Sequence, residues 1–341
     1  MEYIPILVLG LALISPVSAH HSDAALDMES VVTMEGTVTE FNLRNPHSYF
    51  SVETINEVGE VVEWNVQMGS GIASLRRGWT PDTLAVGERV RFSAHPSKDG
   101  RPYSLFVSMQ NADGVDLPIV TEPESERTMA ARALTLEGRW IVEESSLVNY
   151  PDGLDQLTRR DLTLTEKASA ALAAYDDNSI ADNPLLNCIG RSTPGPIIYT
   201  DIYPMEFVFN DDKTITIRSQ FFDNVRTAYM DGRGHPRPGE RYHEGYSIGH
   251  WEGGVLVVDT RNFTDHRSPY QNGIPSGAQK HVVERYQLVE DGTRLAVEFT
   301  LEDPEYIVGS MIHRRELRYV PQMGMAPFDC DLESTQRYLP E

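Results

Sequence analysis

From Met205 to Val320 the chain reads as one short strand after another, most divided from the next by a Gly or Asp turn. This periodicity constrains the fold most, because side chains that alternate every second residue can bury one face only in a sheet. Leu295, Val297, Phe299 and Leu301 alternate with Arg294, Ala296, Glu298 and Thr300. Similar segments run from Met205 to Phe209, Thr214 to Ser219, Asn224 to Met230, Val255 to Thr260, Lys280 to Leu288 and Ile312 to Val320. Another strand is predicted at Trp140, and about eight strands close a barrel able to hold one small ligand. The densest stretch is Ser247 to Phe263, where Gly253-Gly254 can take the positive φ angles of a tight hairpin before Val255.

The 341 residues suffice for two domains with separate cores. A net charge of -22 disfavours nucleic acid and anionic membrane surfaces as partners. Residues 1-19 read as an export signal: Ile4 to Ile14 is an apolar run too short to span a bilayer, and Val17-Ser18-Ala19 supplies small residues before a cut. Met1-Glu2-Tyr3 lacks the usual Lys or Arg, so an uncleaved anchor is the alternative. Nothing after the signal is apolar enough to cross a membrane, and the expected location is periplasmic or secreted. In that compartment the two cysteines, Cys188 and Cys330, are expected to form one disulfide, with two separate thiols as the other option.

Cleavage after Ala19 would place His20-His21 at the mature N-terminus. A terminal amine and an imidazole on one residue, completed by His47, make a nitrogen set suited to Cu(II). Cleavage one residue earlier would leave Ala-His-His, which binds Cu(II) through the third residue and backbone amides. The bland alternative is a frayed terminus with two solvated imidazoles. Short strands follow in Val31 to Arg44, Tyr49 to Thr54, Val61 to Met68, Gly87 to Phe92 and Arg101 to Val107, with a short helix at Ile72 to Arg77. This pattern fits a small barrel of the oligonucleotide/oligosaccharide-binding (OB) type. Its basic face, Arg76, Arg77, Arg89 and Arg91, is too small for nucleic-acid binding in so acidic a chain.

His20-His21-Ser22, Gly36-Thr37-Val38, Asn45-Pro46-His47, Trp64 with Met68-Gly69, and Leu75-Arg76-Arg77-Gly78-Trp79 resemble a family of small exported bacterial proteins of unknown function. The resemblance covers residues 20-112 and implies an exported barrel domain without a reaction. Residues 113-135, broken by Pro118 and Pro123, read as a linker.

Residues 136-341 form the second predicted domain. Gly138-Arg139-Trp140 is similar to the start of lipocalin-like barrels, where the Trp plugs one end. Thr165 caps a predicted helix that turns Leu164, Ala168, Ala171, Leu172 and Tyr175 toward the barrel. Tyr203-Pro204-Met205-Glu206, Tyr229-Met230-Asp231-Gly232-Arg233, Leu256-Val257-Val258-Asp259-Thr260 and His281-Val282-Val283-Glu284-Arg285 resemble a large group of uncharacterised exported bacterial proteins. His250 departs from that group, which more often has Arg or Lys there, so no mechanism is built on it.

The expected fold is therefore mainly β: a small OB-like barrel and a larger, lipocalin-like antiparallel barrel with one covering helix. Two functions from different classes fit. The first is a module binding a small, partly apolar ligand in the C-terminal barrel, with Arg226, Glu206, Asp231, Trp251 and Asn262 as candidate ligand-binding residues. The second is a lyase, isomerase or hydrolase using His281, His235, Asp259 and Glu284 as an acid–base cluster at the barrel mouth. No P-loop, Rossmann, Gly-x-Ser-x-Gly or His-Glu-x-x-His pattern is present. Copper is the one cofactor the residues indicate.

Overall fold

The computed structural model describes residues 25–119, 131–143, 145, 162–271 and 273–339. In the first barrel β1 (Val32–Asn42), β2 (Tyr49–Ile55), β3 (Val61–Gln67), β4 (Arg89–Pro96) and β5 (Tyr103–Asn111) are followed by the short β6 (Asp116–Leu117). Neighbours run β3-β2-β1-β4-β5-β6, and a parallel β3–β5 pairing closes the sheet. A register shift between Val38 and Glu40 bends β1, which pairs with both β2 and β4. Gly36 permits the closest approach, since a Cβ there would lie 2.2 Å from the Glu53 carbonyl oxygen. Val38, Phe50, Val52, Val66, Phe92 and Met109 fill the interior. Helix α1 (Gly71–Arg76) joins β3 to β4 and is capped by the Ser70 hydroxyl, which accepts from the Ala73 amide. This is the expected OB-like arrangement.

The second barrel is closed by β7 (Gly138–Val142), β8 (Met205–Asn210), β9 (Thr214–Ser219), β10 (Asn224–Tyr229), β11 (Tyr246–Glu252), β12 (Val255–Arg261), β15 (His281–Val289), β16 (Arg294–Glu302) and β17 (Ser310–Tyr319). Between β12 and β15, β13 (His266–Gln271) and β14 (Ile274–Ser276) pair only with each other. The barrel thus has nine strands where eight are expected. The additional one is β11, whose Tyr-Ser-Ile-Gly-His-Trp-Glu lacks apolar alternation; pairing with β12 through the Gly253-Gly254 turn holds it in place. Gly253 takes the positive φ expected, at 61°. β11 lies parallel to β10, so residues 230–245 must cross over, unlike an up-and-down barrel.

Fully buried Trp140, Phe207, Tyr286 and Phe299 pack the interior, and the Trp140 indole donates to the Leu136 carbonyl at 2.9 Å. Helix α2 (Glu166–Ala174) has Thr165 as its N-cap and buries Ala168, as its pattern predicts. No helix among the described residues is long and apolar enough to cross a membrane.

The two barrels are joined by a C-terminal arm carrying helix α3 (Leu332–Gln336). Cys330 in this arm forms the expected disulfide with Cys188, with a Cα–Cα distance of 5.8 Å. Asn45 is the hub of the junction. Its side chain donates to the Phe328 carbonyl and accepts from the Ile72 amide, while its own carbonyl accepts from the Asp331 amide and the Ser334 hydroxyl. Ile72 of α1 packs with Tyr203, Phe221 and Phe328 from the other side. The Asn-Pro-His turn is therefore a junction element in this chain.

Candidate functional site

Strand parity divides the acid–base residues expected to act together. On β12, Val258 and Thr260 point inward, so Asp259 points outward; on β15, Val282, Glu284 and Tyr286 point inward, so His281 points outward. Asp259 Oδ1 lies 2.8 Å from Nε2 of His235, which comes from the crossover, and 3.1 Å from Nε2 of His281. His281 Nδ1 is 3.4 Å from Glu302, and Arg261 is 3.3 Å from Asp259. Burial pushes the Asp259 carboxyl up, but the hydrogen bond from His281 and the charges of His281, Arg261 and His235 outweigh it and hold the group at about 2. His235, His281 and Asp259 thus converge on the barrel's outer face, and Glu284 is not among them.

Glu284 lies inside, fully buried against Arg226. Nη2 of Arg226 donates to both carboxylate oxygens at 2.7 and 2.6 Å, and Nη1 reaches Ser247 at 3.3 Å and Thr260 at 3.2 Å. Burial pushes the Glu284 carboxyl up against the pull of the guanidinium. At the same barrel end, Lys280 donates to Ser192 at 2.7 Å and lies 4.0 Å over the Phe263 ring. Burial brings its amine down to about 7 and raises Asp303 to about 6.

The other expected ligand-binding residues do not gather into one pocket. Glu206 is held outside by Arg139 and Arg218, each at 2.9 Å. Asp231 pairs with Arg233 at 2.6 Å. Trp251 is 46% exposed, edge-on to Phe209. Asn262 takes φ 61°, and its side-chain amide donates to the carbonyls of Arg237 and Glu240, anchoring the crossover.

A cleft of about 480 Å³ lies between the barrels. Residues of β3 and α1 form one wall, and residues 183–222 with the C-terminal arm form the other. Tyr199, Tyr203, Phe221, Phe222 and Tyr338 supply aromatic surface, with Tyr199 and Phe221 stacked at 4.1 Å. His47 lines the cleft edge-on to Tyr338, their ring centroids 6.5 Å apart. Arg76 is held by the Ile202 carbonyl and Gln220, and Arg191 lies 5.0 Å over the Tyr199 ring. Arg77 is exposed and has no side-chain hydrogen bond or ion pair among the described residues. The disulfide fastens the arm to the neighbourhood of Leu185, Leu186 and Arg191.

These residues come from six separate segments, and no sequence pattern assembles them. The available signals are Leu75-Arg76-Arg77-Gly78-Trp79 and Tyr203-Pro204, recognisable as blocks without an indication that they face each other. His20 and His21 lie outside the described residues. Among the described residues, no group of three or more His, Cys, Asp or Glu is placed to hold a metal ion.

Residues 9–106 match a family of unknown function (DUF6152). The match spans the small barrel into the first half of β5 and less than half of the chain, so the similarity concerns this part alone. No curated protein matches the chain.

Proposed function

We propose that the chain is an exported binding module that takes a small, partly apolar ligand in the cleft between its barrels. The observation carrying this reading is the cleft itself: its 480 Å³ lies within the range of small-molecule sites, and aromatic walls surround a few polar groups. The packed interior of the nine-stranded barrel favours this place over the barrel lumen. Periplasmic or secreted location is supported by the apolar run Ile4 to Ile14 and by the disulfide. The test is titration of the full chain with neutral N-phenylnaphthylamine, whose fluorescence rises in apolar sites. Saturable 1:1 binding abolished by Ala73→Trp, which fills the cleft from α1, is expected; binding indifferent to that substitution counts against the reading.

The enzyme reading draws on the convergence of His235 and His281 on Asp259. A binder keeps its fold and affinity in His281→Ala, whereas an acid–base enzyme loses orders of magnitude in rate. Copper binding draws on His20, His21 and the cleft residue His47. A Cu(II) titration followed by electron paramagnetic resonance decides it. Submicromolar 1:1 binding lost on adding one residue before His20 supports the site, and binding unchanged by that extension retires it.

A further inference from the structure

Charge in the cleft runs against charge in the chain. The protein has 51 acidic and 29 basic residues, yet the cleft is lined by Arg76, Arg77, Arg191 and His47 against one carboxylate, Asp201. Guanidiniums gathered in an otherwise acidic molecule create a local positive field that draws anions. Arg76 and Arg191 are engaged by neighbouring groups, whereas Arg77 stands exposed without a partner among the described residues. Its Nη1 lies against the open face of Gly69, 3.9 Å from where a Cβ would stand. The phenols add donors. Burial pushes Tyr203 up to about 12, and burial with Asp177 and Asp176 nearby raises Tyr338, so both keep their protons at neutral pH. The cleft is rich in donors, poor in negative charge and walled by rings.

We infer that the ligand of this cleft is a small anion with an aromatic body, its rings against Tyr203, Phe221 and Tyr338 and its charged head at the Arg77 guanidinium. This rests on the reading of the cleft as the binding site and adds the chemical class. Carboxylate and phosphate heads share the relevant chemistry, since both accept paired hydrogen bonds from a guanidinium.

The test compares two probes with one anilinonaphthalene body: neutral N-phenylnaphthylamine and its sulfonate, anilinonaphthalene sulfonate. The wild-type chain should bind the sulfonate about tenfold more tightly, the size expected of one charge pair at a partly solvated position. Arg77→Glu should abolish that preference while neutral-probe binding persists, and Arg77→Lys should retain most of it. Displacement of the sulfonate by naphthoate or by naphthyl phosphate then identifies the preferred head. Equal affinity for the two probes, a preference untouched by Arg77→Glu, or failure of both competitors overturns the inference, with the cleft reading intact. If neither probe responds to Ala73→Trp, the cleft reading itself fails, and this inference with it.

Discussion

Glu284→Leu should be among the most destabilising single substitutions in the nine-stranded barrel. The carboxylate is fully buried and takes two short hydrogen bonds from Arg226, whose side chain is 4% exposed. Removing it leaves a guanidinium in the core whose remaining hydrogen-bond partners among the described residues are the hydroxyls of Ser247, Thr260 and Tyr286. Breaking one side of such a pair costs about 3–5 kcal/mol, against a total stability of about 5–15 kcal/mol. Removing both charges with Arg226→Met and Glu284→Leu should be far milder, because no uncompensated charge remains. Ser247 and Thr260 still bond each other at 2.9 Å, so the principal residual cost is the stranded Tyr286 hydroxyl, about 1–2 kcal/mol. Urea unfolding followed by circular dichroism at neutral pH measures the double variant and the two singles, Arg226→Met and Glu284→Leu. A double variant as unstable as the summed singles would show that the pair is not a closed unit, and would refute this reasoning.

Cys188→Ser with Cys330→Ser frees a loop with a sequence separation of 142, and chain entropy predicts a loss of about 5 kcal/mol by urea unfolding. The same variant should bind N-phenylnaphthylamine more weakly, since the arm carrying Tyr338 loses its covalent link and keeps only its hydrogen bonds. Asp259 titrates at about 2 in the folded chain against 3.8 unfolded, so its stabilisation is fully present above pH 3.8 and disappears as pH falls through about 2. Asp259→Asn should therefore cost about 2 kcal/mol at pH 6 and almost nothing near pH 2, as read from denaturant midpoints. Lys280, brought from 10.5 to about 7, binds fewer protons folded than unfolded between those values, so its contribution to stability rises with pH across that window. Lys280→Met should remove that rise, and thermal unfolding at pH 7 and pH 10 detects the change.

Individual strands are legible wherever apolar residues alternate, as in Leu295 to Leu301, the Thr165 helix cap reads locally, and the cysteine pair follows from its even count in an exported chain. β11 is hidden because Gly249 and the polar Ser247, His250 and Glu252 interrupt its alternation, and its place comes from pairing with β12. His235 and His281, which the sequence groups with Asp259, both lie within hydrogen-bond reach of it. Glu284 was grouped with them because sequence blocks do not state parity, and one residue's difference along β15 turns a side chain from the outer face into the core. The cleft was the least legible part. Its walls come from segments near residues 47, 70, 105, 190, 221 and 338, brought together by the docking of the arm through Asn45 and Cys330 and by the hydrogen bonds of Arg76 to Ile202 and Gln220.

The central claim, a small-molecule site between the barrels, is tested most directly by a crystal structure of the full chain with bound N-phenylnaphthylamine. Density for the probe between α1 and the C-terminal arm, against Tyr203 and Tyr338, is the predicted result. Density inside the nine-stranded barrel, with the cleft empty, would contradict the account.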